Sequence, residues 1–310
     1  MALAAIRVDA DAPVMPRIGI LVPQILTSPA EAGLREGLRE QGYIEGQNIA
    51  IEWRRIGNSV EDAAPDAIEM AHSKLDLILA LSTASARAVL QATSTIPIVF
   101  LSGDPVATGL VGSLAAPRGN ATGVSANSAQ LTGKRLDLLH QLVPRARRIA
   151  FLRNPSNAVL PAQFAEAQKA ARQLGLHLET FDARGIADLD AALRALQRSA
   201  PHAVLIASDF GLLTENAKIS SAIRKARIPA IFPWKEYHEH GALMSYGPDL
   251  KDTLRLTASY VARILKGAKP ADLPVEELSR FDLVIDLRMA RELKLEVPQS
   301  LLLRANEVIQ

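Results

Sequence analysis

Short apolar runs alternate with amphipathic stretches along most of the chain. The first run, 17–22, stops at Pro23, and a helix follows because Ser28-Pro29-Ala30-Glu31 combines an N-cap serine, a first-turn proline and a capping-box glutamate. The pattern then predicts, in order, strand 48–53, helix 59–72, the apolar strand 75–81, a helix ending near residue 92 and strand 96–101. Alternating strands and helices, with strands apolar enough for burial on both faces, predict a parallel, doubly wound α/β sheet.

The strand pattern of the first half recurs in the second half. Residues 17–23 are echoed by 148–155, and the apolar run 96–100 is echoed by 228–232. The paired positions keep a nearly constant separation: Ile18 with Ile149, Ile49 with Leu178, Ile78 with Leu205 and Ile98 with Ile231. The alternative is a chain whose βα units follow one another at irregular spacing. The constant separation favours duplication of one α/β lobe.

Two segments suggest how the lobes connect. The polar, glycine-rich stretch 117–125 suits a crossover between them. After the second repeat the pattern adds strand 242–246, a long amphipathic helix over 248–266 closed by Gly267, and a strand–helix pair over 281–293. These additions would overfill the second lobe, so we expect the chain to cross back through two or three hinge strands. The expected division is an N-terminal tail (1–16), lobe one (17–121 with 247–278) and lobe two (122–246 with 279–310).

The composition narrows the classes of function. At 310 residues the chain exceeds what one hydrophobic core usually serves, and its 48% hydrophobic and 22% charged residues are an ordinary globular balance. The net charge is +2 and the basic residues are dispersed, so no nucleic-acid partner is indicated. The sequence has no cysteine, which excludes disulfides, thiolate metal sites and a cysteine nucleophile. Residues 1–15 match neither a signal peptide nor a core strand.

Ligands of open α/β sheets bind beyond the carboxyl ends of the strands, so the loops to examine follow from the predicted strands. Small hydroxyl residues at 82–85 precede a helix, where backbone N–H groups and the helix dipole favour a carboxylate. An ordinary N-cap is the alternative there. Asp104 either binds a ligand ammonium or caps the following turn. The candidate residues of lobe one are Pro23, Gln24, Ser82, Thr83, Ala84, Ser102 and Asp104.

The equivalent loops of lobe two hold an acidic residue and several aromatic residues. Asp209 follows a buried run, so its charge needs a partner, and a cationic ligand group is one candidate. Aromatic residues make up only 4% of the chain, and three of them near one cleft would form flat walls around a ring, although core packing is the commoner role. The candidate residues of the hinge and lobe two are Ser125, Asn154, Asp209, Phe210, Trp234 and Tyr246.

The sequence lacks the motifs of common catalytic and cofactor sites. His238-Glu239-His240 does not have the spacing of a zinc-binding His-Glu-x-x-His motif, and we expect no metal. No Gly-x-Gly-x-x-Gly follows the first strand, and no Gly-x-x-x-x-Gly-Lys-Ser/Thr loop is present, so we expect no dinucleotide or other cofactor. The segment 123–127 lacks the second glycine of a nucleophile elbow. We therefore expect no enzymatic activity.

Several motifs, in a consistent order, resemble one protein family. They are GYIEGQN at 42–48, ATSTIPIVF at 92–100, GDPV at 103–106, GNATGVS at 119–125, GKRL at 133–136 and PQSLLLRANEVI at 298–309. Over nearly all of 17–310 the chain resembles the ABC-transporter substrate-binding proteins of the tryptophan-binding-protein type. Two departures are Asp286, where the family usually has Asn, and Leu293-Lys294, where it usually has Leu-Gly. Both positions look structural, so the expected fold is unchanged.

The resemblance implies a fold, a compartment and partners. It implies the type 1 periplasmic binding protein fold, with two doubly wound parallel-sheet lobes joined by hinge crossovers. It also implies export to the periplasm, a small-molecule ligand such as an amino acid or a related, possibly aromatic, carboxylate, and delivery of that ligand to the transmembrane subunits of an ABC permease. We expect a monomer without a cofactor.

Three functional hypotheses remain at this stage. The leading one is a solute-binding protein whose lobes close on the ligand about a hinge. The second is a ligand sensor or regulator on the same two lobes, although 1–16 is too short for the DNA-binding domain of a repressor. The third is an enzyme with Asp104 or Asp209 as a general base, which would return its compound chemically altered.

Overall fold

The computed structural model describes residues 15–24, 26, 28–57 and 59–310. The expected N-terminal tail therefore lies outside the described residues except for Met15 and Pro16. The strands in chain order are β1 (Arg17–Pro23), β2 (Ala50–Ile56), β3 (Leu77–Ala80), β4 (Ile98–Ser102), β5 (Ala121–Ser125), β6 (Arg148–Arg153), β7 (His177–Asp182), β8 (Ala203–Ile206), β9 (Ala230–Phe232), β10 (Met244–Gly247), β11 (Glu276–Glu277), β12 (Asp282–Asp286) and β13 (Glu307–Ile309).

The helices pack on both faces of two sheets. In chain order they are α1 (Ser28–Glu40), α2 (Val60–His72), α3 (Thr83–Ala92), α4 (Ser128–Leu142), α5 (Leu160–Leu174), α6 (Ile186–Ser199), α7 (Phe210–Thr214), α8 (Asn216–Ala226), α9 (Leu250–Leu265), α10 (Leu287–Glu292) and α11 (Gln299–Leu302). Short 3-10 helices cover Lys235–His240 and Pro270–Asp272. Strands β3 and β8 are buried along their whole length, as the apolar runs require.

The two sheets repeat one topology. The first sheet has the strand order β11-β5-β4-β3-β1-β2, and the second has the order β13-β12-β10-β9-β8-β6-β7. The sequence β5-β4-β3-β1-β2 of the first sheet thus corresponds strand for strand to β10-β9-β8-β6-β7 of the second. All pairings are parallel in the described residues except β10 with β12. The predicted α/β class with two doubly wound lobes is confirmed.

The chain passes between the sheets three times. It leaves the first sheet after β5 through residues 126–127, returns after β10 to helix α9, and leaves again between β11 and β12. Helix α9 packs on α1 of the first lobe, where Lys251 pairs with Glu36 at 3.0 Å. We therefore use lobe one for the first sheet with α1, α2, α3 and α9, and lobe two for the second sheet with the remaining helices.

The segment 117–125 was expected to be a crossover, and that expectation is wrong for its second half. Residues 121–125 form β5, which pairs in parallel with β4 in the first sheet. The physical reason lies at Gly123, whose φ is +154° and where a Cβ would stand 2.0 Å from the carbonyl oxygen of Phe100. This glycine allows two strands to approach closely and does not supply a flexible link. Residues 122–125 were assigned to lobe two from the sequence. In the structure they pair with β4 and therefore belong to lobe one.

A buried arginine connects two of the three crossings. Arg135 of α4 lies about two turns of helix beyond the first crossing and is almost completely buried. Its Nε donates a hydrogen bond of 2.8 Å to the carbonyl oxygen of Tyr246 in β10, just before the second crossing. The side chain of Tyr246 lies against Phe281, with ring centroids 6.0 Å apart. Arg135 therefore holds the start of lobe two against the strand that leads back to lobe one.

Candidate functional site

A cleft lies between the lobes, at the carboxyl ends of the parallel strands of both sheets. The first residues or N-caps of helices from both lobes line it. They are Ser59 and Val60 of α2, Ser82 and Thr83 of α3, Ser128 of α4, Val159 of α5, Asp209 and Phe210 of α7, and Leu250 of α9. Because the N–H groups of a first turn lack acceptors within the helix, this convergence makes the cleft favourable for a negative group.

The start of α3 combines an N-cap with a buried pair of hydroxyls. The Ser82 hydroxyl accepts from the N–H of Ser85 at 3.0 Å, and the Ser85 hydroxyl accepts from the N–H of Ser82 at 2.9 Å. The Thr83 hydroxyl lies 2.9 Å from the Ser102 hydroxyl at the end of β4. The cap leaves the first-turn N–H groups of Thr83 and Ala84 without an acceptor inside α3. Ser82 is therefore a true N-cap, and the same turn still offers donors to an anion.

Asp209 is the N-cap of α7 and lies on the opposite side of the cleft. Its Oδ1 accepts from the N–H of Leu212 at 2.8 Å, and its Oδ2 accepts from the side-chain amides of Asn154 at 3.2 Å and Asn157 at 2.8 Å. Burial raises the pKa of this carboxyl above its ordinary value, and these hydrogen bonds oppose the rise. A cationic group in the cleft would stabilise the ionised carboxylate further.

The neighbouring Ser208 has a fixed backbone and a free hydroxyl. Its N–H donates to Gln163 Oε1 at 2.8 Å, and its carbonyl oxygen accepts from Gln163 Nε2 and from Asn157, both at 3.0 Å. Ser208 lines the cleft, and its hydroxyl is buried without a hydrogen-bond partner among the described residues. A buried hydroxyl without a partner is costly, so a polar group of a ligand or a water is expected to bind there.

An aromatic pair forms one wall of the cleft in lobe two. The rings of Phe210 and Trp234 are stacked, with centroids 5.2 Å apart and planes 4° from parallel. The position of Trp234 depends on Gly247 in the adjacent strand, because a Cβ there would stand 1.9 Å from the carbonyl oxygen of Pro233. The pair offers a flat apolar surface beside the Asp209 carboxylate.

The cleft carries one charged side chain among its described lining residues, and that is Asp209. The other polar lining groups are hydroxyls and an amide, such as Ser59, Ser156 and Asn157. Negative ligand groups would thus be bound by backbone N–H and hydroxyl donors and not by Lys or Arg. This arrangement suits a carboxylate together with an ammonium, because each finds a distinct partner in a different lobe.

The structure brings together more than half of the residues expected from the sequence. Those that line the cleft are Ser82, Thr83, Ala84, Ser102, Asp209, Phe210 and Trp234. Asn154 lies behind Asp209 and hydrogen-bonds to it. Those that do not line it are Pro23, Gln24, Asp104, Ser125 and Tyr246.

The predicted residues that lie outside the cleft have other positions in the fold, at turns and strand ends. Asp104 accepts from the N–H of Ala107 at 2.9 Å and so caps the following turn, which was the alternative at this position. Ser125 is buried at the end of β5, where its carbonyl oxygen accepts from the N–H of Leu278. Pro23 is buried at the end of β1, and Gln24 is exposed beside it.

Several lining residues were not singled out from the sequence. They include Ser59, Val60, Ser128, Ser156, Asn157, Ser208, Leu250 and Thr253. Asn157 and Ser208 lie close in sequence to the candidate residues Asn154 and Asp209, beyond the carboxyl ends of β6 and β8, so the strand-end rule led to the correct segments. The start of α4 and the start of α9 carry no comparable signal, because each follows a crossing between lobes.

No group of three or more His, Cys, Asp or Glu side chains is placed to hold a metal ion within the described ranges. His238 is buried, and its Nε2 lies 3.0 Å from the hydroxyl of Ser245. Burial lowers the pKa of this histidine to about 4. Among the described helices, none combines the length and apolar character needed to cross a membrane.

Comparison with known proteins identifies the family. Residues 20–309 match the model of the family described as ABC transporter substrate binding protein. A curated relative, the tyrosine-binding protein of Clostridioides difficile (strain R20291), is 27% identical over 272 residues, which cover 87% of this chain and 78% of the relative. The predicted resemblance is confirmed by these matches.

Two solved structures share the fold over nearly the whole chain. A conserved domain protein from Vibrio cholerae is 27% identical with a TM-score of 0.89, covering 95% of this chain and 100% of its own. An ABC domain from Streptococcus pneumoniae in complex with L-Trp is 26% identical with a TM-score of 0.88, covering 96% of this chain and 100% of its own. The type 1 periplasmic binding fold expected from the sequence is therefore confirmed.

Proposed function

The chain belongs to the ABC transporter substrate-binding protein family, and we propose that it captures a free amino acid, preferably an aromatic one, in the interlobe cleft. Members of this family bind a substrate without converting it. The ligand is then delivered to the transmembrane subunits of an ABC importer. The expectation of a non-enzymatic protein agrees with the family, so Asp209 is treated as a binding group and not as a general base.

The observation that carries this proposal is the distribution of charge between the two sides of the cleft. Lobe one presents the first turn of α3, with the Thr83 hydroxyl and free N–H donors, which suits a carboxylate. Lobe two presents Asp209 and the Ser208 hydroxyl, which suit an ammonium. The α-carboxylate and α-ammonium of an amino acid match these two positions.

The aromatic pair supports a ring-bearing side chain. Phe210 and Trp234 form a flat apolar wall next to Asp209, and no cationic or second acidic side chain lines the described part of the cleft. A charged side chain on the ligand would therefore be desolvated without a partner. The relatives named for tyrosine and solved with L-Trp bind ligands of this class.

Hinge closure would link binding to a change of shape. A ligand whose carboxylate contacts lobe one and whose ammonium contacts lobe two stabilises the closed arrangement over the open one. Because a ligand shifts this equilibrium only by its differential affinity, compounds with one of the two groups should close the cleft less completely. The closed form is then the form offered to the permease outside the cytoplasmic membrane, with the protein acting as a monomer.

A thermal-shift and calorimetric screen tests the proposal. The panel contains L-tryptophan, L-tyrosine, L-phenylalanine and L-leucine, with tryptamine lacking the carboxylate and indole-3-propionate lacking the ammonium. A ligand at 100 times its Kd stabilises the folded protein by about 2.7 kcal/mol. We expect an aromatic amino acid to give this shift and both analogues to lose it. Absence of a shift with every amino acid would exclude the proposed ligand class.

Small-angle scattering tests closure separately. The radius of gyration should decrease when the best ligand of the panel is added at saturation, because the lobes approach each other. Indole-3-propionate at the same concentration serves as the control. A ligand that binds tightly and leaves the radius of gyration unchanged would retain the ligand class and refute the hinge mechanism.

A further inference from the structure

Gly103 lies where the two lobes meet across the cleft. It follows Ser102, the last residue of β4 in lobe one, and its carbonyl oxygen accepts a 2.9 Å hydrogen bond from the N–H of Ser128 in lobe two. A Cβ built on Gly103 would stand 2.9 Å from the Ser128 hydroxyl and 3.1 Å and 3.2 Å from the two methyl groups of Val159. Every one of these three atoms belongs to lobe two.

The need for glycine here does not come from its own backbone. The φ of Gly103 lies outside the left-handed region, so any residue could adopt the conformation. The three nearest atoms to an added Cβ all lie in the other lobe, so the crowding arises between lobes and not within the fold of lobe one. Separation of the lobes would relieve the crowding without unfolding either of them.

Of the atoms opposite Gly103, the two Val159 methyl groups have the least freedom to move aside, whereas the Ser128 hydroxyl can rotate about its Cα–Cβ bond. Val159 is 3% exposed and is the N-cap of α5, so its methyl groups are buried and its backbone is held at the start of a helix. The hydrogen bond from Ser128 to Gly103 fixes the separation of the two backbones beside the first crossing. An extra methyl group would therefore be accommodated mainly by opening the cleft.

We propose that Gly103 is a positioning residue for ligand capture: the absence of a side chain at this position sets how closely the lobes approach each other. This inference rests on the proposed hinge closure and adds to it the contact that limits the closed state. A side chain at 103 lowers the population of the fully closed form. The apparent Kd rises in proportion, because the competent fraction is smaller.

The chain offers a matched control glycine. Gly112 is exposed in the same connection of lobe one, its φ is also outside the left-handed region, and a Cβ there meets nothing within 4 Å. Gly112→Ala thus adds the same methyl group to the same segment without touching lobe two. Its affinity and closure should equal those of the wild type.

Spin labels can measure the distance between the lobes directly. The natural sequence has no cysteine, so Ile68→Cys in α2 and Lys169→Cys in α5 give one label in each lobe. Ile68 is 53% exposed and the Lys169 side chain is 60% exposed, so both sites accept a label. Pulsed dipolar spectroscopy then reports the interlobe distance distribution with and without L-tryptophan.

We expect Gly103→Ala to shift the distribution towards longer distances and to raise the Kd for L-tryptophan about tenfold, with the unfolding midpoint of the ligand-free protein unchanged. Gly103→Val should have a larger effect. The double variant Gly103→Ala with Val159→Ala removes the opposing methyl groups. It should bring both the interlobe distance and the Kd for L-tryptophan back towards the wild-type values.

The outcomes separate this inference from the proposed function. A Gly103→Ala protein with the wild-type distance distribution, both with and without L-tryptophan, overturns the inference whatever its Kd. If wild type does not respond to L-tryptophan, that ligand fails, and the comparison is made with the amino acid of the panel that shortens the wild-type distance. Longer distances in Gly103→Ala with that amino acid support the closure contact, and equal distances refute it.

Discussion

The rings of Phe210 and Trp234 stack with centroids 5.2 Å apart, and this contact joins the start of α7 to the segment that follows β9. Trp234 is 7% exposed, so most of its surface is already packed, whereas Phe210 is only partly buried. A ligand ring would therefore contact a wall that is rigid before binding. Rigid aromatic surfaces lose little conformational entropy on binding.

Removal of the Phe210 ring should affect aromatic ligands selectively. Phe210→Leu keeps an apolar side chain and loses the stacking surface, so the Kd for L-tryptophan should rise about 3- to 10-fold while the Kd for L-leucine changes little. Isothermal titration with both amino acids measures the difference. Phe164→Leu is the control, because Phe164 stacks on Phe151 outside the cleft. An equal rise in Kd for L-tryptophan and L-leucine would argue against a ring-binding wall.

Neutralising Asp209 should remove the ammonium site. Asp209→Asn should raise the Kd for an aromatic amino acid about tenfold or more, since a charge-assisted hydrogen bond is lost. The weaker binding of indole-3-propionate should not change, because that analogue lacks the ammonium. Wild-type affinity should also fall as the pH drops through the raised pKa of Asp209, because the protonated carboxyl no longer attracts the ammonium. Calorimetry across pH 4–8 measures this, and the variant should show a flatter profile.

A charge swap provides the control for that substitution. Asp209→Asn combined with Asn154→Asp retains a hydrogen bond between the two side chains while moving the charge to a residue that does not line the cleft. If the swapped protein binds amino acids as the wild type does, direct contact between Asp209 and the ammonium is refuted.

The free hydroxyl of Ser208 predicts opposite effects on stability and on binding. Ser208→Ala removes a buried hydroxyl without a partner, so the ligand-free protein should be as stable as the wild type or slightly more stable. Ligand affinity should fall about 3- to 10-fold, which corresponds to one ordinary hydrogen bond. Denaturant unfolding and calorimetry give the two quantities.

Ser245 supplies the contrasting case for Ser208. Its hydroxyl is buried and bonded to His238 outside the cleft. Ser245→Ala should lower the free energy of unfolding and leave the Kd unchanged. If the two variants behave alike, Ser208 has no special role in ligand binding.

Glu236 predicts a pH dependence of stability. Its Oε2 is buried without a partner among the described residues, and burial raises the pKa of this carboxyl from 4.5 to about 7, with Lys235 opposing and Asp249 and Glu239 supporting the rise. Because the folded-state pKa is the higher one, the folded protein retains the proton more tightly. Stability should therefore increase as the pH falls from about 7 towards 4.5, and it should be lower above pH 7.

The isosteric variant Glu236→Gln tests this dependence. It cannot ionise, so it should be more stable than the wild type at pH 8 by about 1–3 kcal/mol and should lose the slope between pH 5 and 7. Thermal unfolding over this range measures both effects. Glu277→Gln is the control, since Glu277 is exposed and is not among the charges that raise the pKa of Glu236. A wild-type slope that survives in Glu236→Gln would assign the titration to another group.

Most of the architecture followed from local patterns. The fully apolar strands β3 and β8 and the recurrence of Ile18 at Ile149 are features of the local sequence pattern, and they were sufficient for a duplicated parallel fold. The candidate site was partly accessible by the same route. Strand ends of a parallel sheet lie at one edge, so Thr83 and Asp209 could be assigned to the cleft from their positions after β3 and β8.

Other features could not be obtained this way because they depend on contacts between distant parts of the chain. The stretch around Gly123 has the composition of a linker, and only its pairing with β4 makes it a strand. From the sequence, Asp104 could either bind a ligand ammonium or cap a turn. Its hydrogen bond from the N–H of Ala107 shows that it caps the turn. Sequence patterning constrains the conformation of neighbouring residues, whereas pairing partners are chosen by packing across the whole domain.

The sequence by itself thus determined the α/β class, the two lobes, the absence of cysteine chemistry and the loops that carry the site. The tertiary structure alone decided which of those loops meet, that Asn154 and Asn157 both hold Asp209, that the Ser208 hydroxyl is left free, and that Gly103 faces Val159 across the cleft. The physical reason is distance along the chain. Local hydrophobic periodicity and capping act over a few residues, while the cleft is formed by side chains more than fifty positions apart whose separation is fixed only when both cores have packed.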